Sequence, residues 1–174
     1  MTQPRSFRLA PMCGLIGGLT LALLALPVVL GISFLRSLPA PALWIPGAIA
    51  LLYLSIWLWW RPSRFDLDSA GLTIRWPLRR QHIPWREIRA ARRLVRSELR
   101  SELGFAARVG AGGLWGGFGW LWTRRRGLLD LYISRTDGVV LIERSPGRAL
   151  LITPEHPEEF SHSVRLHVQQ GAAA

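Results

Sequence analysis

The densest set of residues able to do chemistry is a glycine-rich stretch, Gly110 to Gly119. It is interleaved with Trp115 and Phe118, continued by Trp120 and Trp122, and closed by Arg124, Arg125 and Arg126. A nucleotide phosphate loop would need a terminal Gly-Lys-Ser/Thr, or G-x-G-x-x-G between a strand and a helix, and neither is present. Aromatic and cationic character remains. Tryptophan favours the membrane interface, and an arginine beside an anionic leaflet gains about 1 kcal/mol. Three arginines would supply about 3 kcal/mol, a millimolar contact alone, which tethering to the membrane would make intramolecular. Trp115, Phe118, Trp120, Trp122, Arg124, Arg125 and Arg126 are therefore the candidate binding residues, for a membrane surface or a partner. Two arrangements stand open: the segment lies against lipid or membrane helices, or its aromatics fill a core and its arginines tip a solvated hairpin.

The remaining candidates have ordinary roles open to them. His162 and His167 are five apart on an expected helix, about 140° from each other at 3.6 residues per turn. With His82 and His156 elsewhere and no cysteine nearby, a zinc site is not expected. Asp66 and Asp68 share one face of a short strand and suit a turn-flanking, solvated role better than acid/base work. Ser161 beside His162 lacks a nucleophile elbow and a third member. Glu155, Glu158 and Glu159 fit the positive end of a helix dipole. Cys13 is the single cysteine, which excludes an internal disulfide and a CxxC site. No catalytic residue, metal or cofactor is expected.

The elements that must position these residues fall into two classes. No charged side chain occurs from Leu9 to Leu35 or from Ser37 to Trp60, and only Arg36 separates the two stretches. A helix needs roughly 20 apolar residues to cross a ~30 Å hydrocarbon layer. Two transmembrane helices are expected, at about 12–35 and 42–60, joined by a turn through Pro39 and Pro41. Arg5 and Arg8 precede the first, and Arg61 and Arg64 follow the second, so both termini should be cytoplasmic. Trp57, Trp59 and Trp60 would form one interfacial belt and Trp44 the other. Ala40-Pro41-Ala42 matches a signal-peptidase pattern, but the apolar run before it exceeds the usual ~7–15 residues. Neither span holds an Asp, Glu, His, Lys or Arg, which argues against a transporter. Gly14 and Gly18 form a G-x-x-x-G pair suited to close helix approach, and Pro27 suits a kink. All 22 basic residues of the 174 are arginine, giving a net charge of +11. Basic residues are retained on the cytoplasmic side of membrane proteins, and no nucleic-acid-reading motif accompanies the charge.

After Trp60 the hydrophobic period shortens. Phe65-Asp66-Leu67-Asp68 and Leu72 to Trp76 alternate about a Ser69-Ala70-Gly71 turn, and Gln81-His82-Ile83 returns as a neighbouring strand. Residues 88–103 fit a helix or a strand. Leu128–Ser134, Val139–Glu143 and Ala149–Thr153, punctuated by Asp137-Gly138 and Ser145-Pro146-Gly147, describe an antiparallel meander. Pro157 opens a closing helix, with Phe160, Val164 and Val168 on one face.

Strands followed by one C-terminal helix resemble pleckstrin-homology-like (PH-like) domains, and in particular bacterial ones preceded by a two-helix membrane anchor. The residues that carry the resemblance are Asp68-Ser-Ala-Gly71-Leu-Thr-Ile74, Ile83-Pro-Trp85-Arg-Glu-Ile88, Arg108-Val-Gly110 through Trp120, and Thr153-Pro154-Glu-His-Pro157-Glu-Glu-Phe160. His156 stands where an Asp or Asn helix cap is the rule. The resemblance implies a membrane α-helical hairpin plus a mainly-β, partly open barrel of seven strands, capped by a C-terminal helix. It divides the chain into an N-terminal segment with two transmembrane helices (1–62), a cytoplasmic PH-like domain (63–170) and a flexible tail (171–174). It also implies a noncatalytic module at a bacterial inner membrane, in contact with the lipid bilayer, a protein partner or a second copy. An accessory subunit of a transporter or secretion complex is the alternative, and an enzyme of unrecognised kind a further one.

Overall fold

The structure, a computed structural model, describes residues 4–37 and 43–172. The chain starts in a strand, β1 (Arg5–Arg8), and runs into helix α1 (Gly14–Ser37). Helix α2 (Trp44–Ser55) follows, and its last turn widens into a π segment, Ile56–Trp60. Strands β2 (Arg64–Leu67), β3 (Gly71–Arg75) and β4 (Arg80–Pro84) come next. They form a four-stranded antiparallel sheet in the order β1-β2-β3-β4. The β2–β3 turn is built by Asp68, whose Oδ1 accepts the N–H groups of Ala70 and Gly71 at 2.8 and 2.9 Å. An Asx-type turn of this kind is why aspartate punctuates strands.

A second sheet holds β5 (Ile88–Leu94), β6 (Ala106–Gly112), β7 (Gly117–Thr123), β8 (Gly127–Ile133), β9 (Val139–Arg144) and β10 (Leu150–Ile152). Its order is β5-β9-β10-β8-β7-β6. Helix α3 (Arg96–Leu103) joins β5 to β6, and α4 (Pro157–Ala172) closes the fold. The main core lies between the two sheets. Phe65, Leu72, Ile74 and Ile83 from the first face Phe118, Val140, Ile142 and Leu150 from the second, with Phe160 and Val164 of α4 among them. Phe160 meets Phe7 and Phe65 edge-on at 5.2 and 6.1 Å. A smaller core on the outer face of the second sheet joins Leu94, Leu129, Leu141 and Leu151 to Leu99 and Leu103 of α3.

Several expectations are corrected here. The strand count is ten among the described residues rather than seven, arranged as a pair of sheets. The C-terminal meander is also replaced: β10 inserts between β8 and β9, parallel to β8 and antiparallel to β9. Leu150 and Ile152 belong to the main core and Leu151 to the outer one. A three-residue strand apolar on both faces must be covered on both, and the two cores cover β10 in this way. Residues 88–103 divide into a strand and then a helix.

Among the described residues one helix, Gly14–Arg36, is long and apolar enough to cross a membrane; Trp44–Trp60 is apolar but shorter. The two expected spans are thus met by one, and α1 runs through Pro27 without interruption. Pro39, Pro41 and the Ala40-Pro41-Ala42 pattern lie outside the described residues. Helix α4 starts at Pro157 as expected and continues to Ala172, two residues into the segment read as a tail. Arg5–Arg8, placed by sequence in the membrane unit, instead pairs with β2 as part of the domain's first sheet.

Candidate functional site: a glycine hairpin that receives the helices

Strands β6 and β7 pair without a break from Ala106↔Thr123 to Gly112↔Gly117. Their turn is closed by the Gly113 N–H donating to the Gly116 carbonyl at 2.9 Å. The glycine-rich stretch is therefore a β-hairpin, not a strand–loop–helix cradle. Gly110 and Gly119 face each other across it, with φ of 137° and 127°. A Cβ at either position would stand 2.9 Å from the Trp60 ring. The two glycines together leave a slot that the Trp60 indole occupies, and Trp60 meets Trp120 edge-on at 6.0 Å.

Three residues earlier on the π segment, Trp57 meets Trp115 edge-on at 4.9 Å. The Arg61 guanidinium lies 4.4 Å from the Trp57 ring centre. Burial pushes the Arg61 pKa below its ordinary value, and its Nε is enclosed without a hydrogen-bond partner.

Helix α1 docks on the same hairpin. Leu19 lies over Gly113. The Thr20 hydroxyl, itself buried, accepts the Trp115 N–H at 2.9 Å. It stands 2.7 Å from the Ile16 carbonyl and 3.2 Å from that of Gly113, either of which can take its single proton. Trp115 has a left-handed backbone, φ 59°, which costs a side-chain-bearing residue about 1–2 kcal/mol. The buried bond to Thr20 and the Trp57 contact offset that strain.

The candidate residues thus separate. Trp115 and Phe118 are buried, Phe118 in the main core. Trp120 and Trp122 form a partly exposed shelf on the same face. Arg124–Arg126 lie at the opposite end of β7, roughly 20 Å from the Gly113–Gly116 turn at ~3.3 Å per residue. There Arg124 donates its backbone N–H to Phe105, and the Arg125 guanidinium bonds the Ser101 carbonyl. Arg126 is paired with Glu102 and Glu143, each at 2.7 Å, and Glu102 with Arg92 at 2.7 Å. Hydrogen bonds from Arg92 and Arg126 hold the Glu102 carboxyl below its usual value. The bond to Glu143, and then that to Glu102, raise the Arg126 guanidinium. The structure gathers Trp115, Phe118 and Trp120 with the helices and sets the three arginines apart.

Residues not singled out by sequence complete the helix end of the hairpin. A small pocket of about 230 Å³ is lined by Trp59, Trp60, Arg79, Gly119, Trp120 and Tyr132. Arg79 stacks on Trp76 at 4.0 Å. Arg148 stands 5.9 Å from the Trp120 ring centre and 3.6 Å from Asp130. Burial raises the Asp130 carboxyl, against the pull of Arg148.

Elsewhere, the polar residues weighed from sequence serve local structure. Asp66 binds Ser6 at 2.6 Å and pairs with Arg75. His82 bonds Thr73 at 2.9 Å, His167 stacks on Trp85 at 4.5 Å, and Ser161 donates to the Glu158 carbonyl at 3.0 Å.

The family described as bacterial PH domain matches residues 63–168. Neither the curated proteins nor the solved structures give a match.

Proposed function

This chain belongs to the bacterial PH domain family, and from that premise we propose that it is a noncatalytic interaction module. It is anchored in the inner membrane by α1 and α2 acting as a hairpin, and it mediates lipid or protein contacts at the cytoplasmic face. The observation that carries the reading is the socket. Trp60 in its glycine slot and Thr20 on Trp115 fix both helices to the PH-like body. An anchor joined by a floating linker would let the body swing away from the bilayer, whereas one packed into its sheet holds it there. The distribution of arginines on either side of the apolar stretches supports cytoplasmic termini.

The test is fractionation of the full-length protein, with reporters fused after Ala174. Retention in the membrane pellet after alkaline extraction, together with activity of a cytoplasm-dependent reporter, is the expected outcome. Recovery in the soluble fraction overturns the anchor, and a reporter active only outside the cytoplasm overturns the orientation.

A further inference from the structure

The depth at which the domain sits follows from which helical turns it grips. The candidate span covers 23 residues, Gly14–Arg36, and crossing the hydrocarbon takes roughly 20, so about three can be spared. Yet the residues of α1 that touch the hairpin or the core beside it are Leu19, Thr20 and Leu23, about one and a half to two and a half turns inside the helix at 3.6 residues per turn. Helix α2 gives the same answer, because Tyr53, Ile56 and Trp57 pack on the domain before the chain leaves the helix. The Gly113–Gly116 turn lies alongside turns that α1 needs for crossing, and so cannot stand clear in water.

Composition agrees. From Val109 to Thr123 the sequence has no charged side chain, although the guanidinium of Arg108 reaches forward over Gly112 and Gly117, and Val109, Trp120 and Trp122 are 56%, 42% and 46% exposed. Insertion also has a limit. Strand β6 is the edge of its sheet, and a bare edge is not tolerated in hydrocarbon, where its N–H and C=O groups find no water. The depth at which both conditions hold is the headgroup layer. Around Trp57, Trp60 and Trp120, amphipathic rings of the kind that meet that layer, stand Arg61, Arg79 and Arg148.

We propose that the β6–β7 tip is set into the headgroup layer of an anionic bilayer, with Arg61, Arg79 and Arg148 at phosphate level around it. This rests on the membrane-anchored reading above and assigns its partner as phospholipid. It also removes Arg124–Arg126 from the lipid, since they lie at the far end of β7.

The experiment uses the full-length protein in phosphatidylcholine vesicles, with and without one third phosphatidylglycerol. Cys13→Ser clears the background, and single cysteines at Val109→Cys and Arg125→Cys carry an environment-sensitive fluorophore. The expected result is a blue-shifted probe at 109, quenched by spin-labelled lipid, and a water-like probe at 125. Quenching at 109 by spin-labelled phosphatidylglycerol should exceed that by spin-labelled phosphatidylcholine. Arg79→Gln and Arg148→Gln should each reduce that preference by up to about fivefold, while Arg124→Gln should leave it unchanged. A water-like probe at 109 in protein that still resists alkaline extraction overturns the insertion and leaves the anchor standing. Loss of the protein from the vesicles overturns the anchor itself. Equal quenching by the two lipids overturns the assignment of the arginines.

Discussion

At one end of β7, Gly117 leads out of a turn whose neighbours are Leu19, Thr20, Trp57 and Trp60. At the other, Thr123 leads into a turn of three arginines, the last of which pairs with Glu102 and Glu143. Both ends tie the hairpin to helices, the first to α1 and α2 and the second to α3. The first does so by removing side chains, so that the backbone comes within van der Waals reach of an indole. The second does so by adding charge in partial solvent. A steric fit fails when a methyl group is added, because packed interiors have no slack. An exposed ion pair yields gradually, because water and neighbouring charges replace what is lost.

That contrast orders the expected effects. Gly119→Val places a branched side chain against the Val109 carbonyl and the Trp60 ring at a backbone of φ 127°. Overpacking and backbone strain together should cost about 3 kcal/mol or more, read as the largest fall in the denaturation midpoint of the detergent-solubilised protein. An unchanged midpoint would break the comparison. Trp60→Ala empties the slot from the other side and should cost about 3 kcal/mol. Combined with Gly119→Ala it should fall well short of additive, since the two residues share one contact. Thr20→Val leaves the Trp115 N–H enclosed without an acceptor, for about 2 kcal/mol, and Thr20→Ser should restore most of it.

Arg126→Gln at the charged end is the smallest, about 1 kcal/mol or less, and should shrink further at high salt. Its pH signature has a definite sign. The Glu102 carboxyl is held below its ordinary value, so its contribution is present above the pKa of unfolded glutamate. It is lost as pH falls through the lower, folded value. Acid titration of stability should therefore be shallower in Arg126→Gln than in the parent protein.

Features set by neighbouring residues could be read before the structure. Pro157 with Phe160 and Val164 located α4, and the Asp68 turn located the β2–β3 hairpin. Residues 88–94 stayed ambiguous because buried positions recur at Ile88, Ala91 and Leu94, a helical interval. The strand carries a bulge near Ile88, and Ala91 faces the main core while Leu94 faces the outer one. Burial on two faces erases the alternation by which a strand is recognised. The position of β10 and the pairing of β1 depend on residues far away in sequence, so no window could show them. The socket lay halfway between. A hairpin turning at Leu114–Trp115 brings Gly110 opposite Gly119 automatically, but nothing near either glycine names Trp60. The same arithmetic, carried on along β7, sets Arg124–Arg126 at the far end of the strand from Trp115, a distance that grouping them as one candidate site left out.

The pairing of β1 with β2 bears on how the chain is made. Arg5–Arg8 is synthesised before α1, yet its partner Arg64–Leu67 emerges only after both helices have been made. The first sheet cannot be completed until the intervening segment has doubled back to where it began. Under the two-helix anchor proposed above, a nascent chain that threaded one helix through the translocon and not the other would leave β1 stranded across the bilayer. Phe7 would then be missing from the face of Phe160. In that proposed topology, completion of the edge would act as a check on insertion, since misrouted copies would carry an open core.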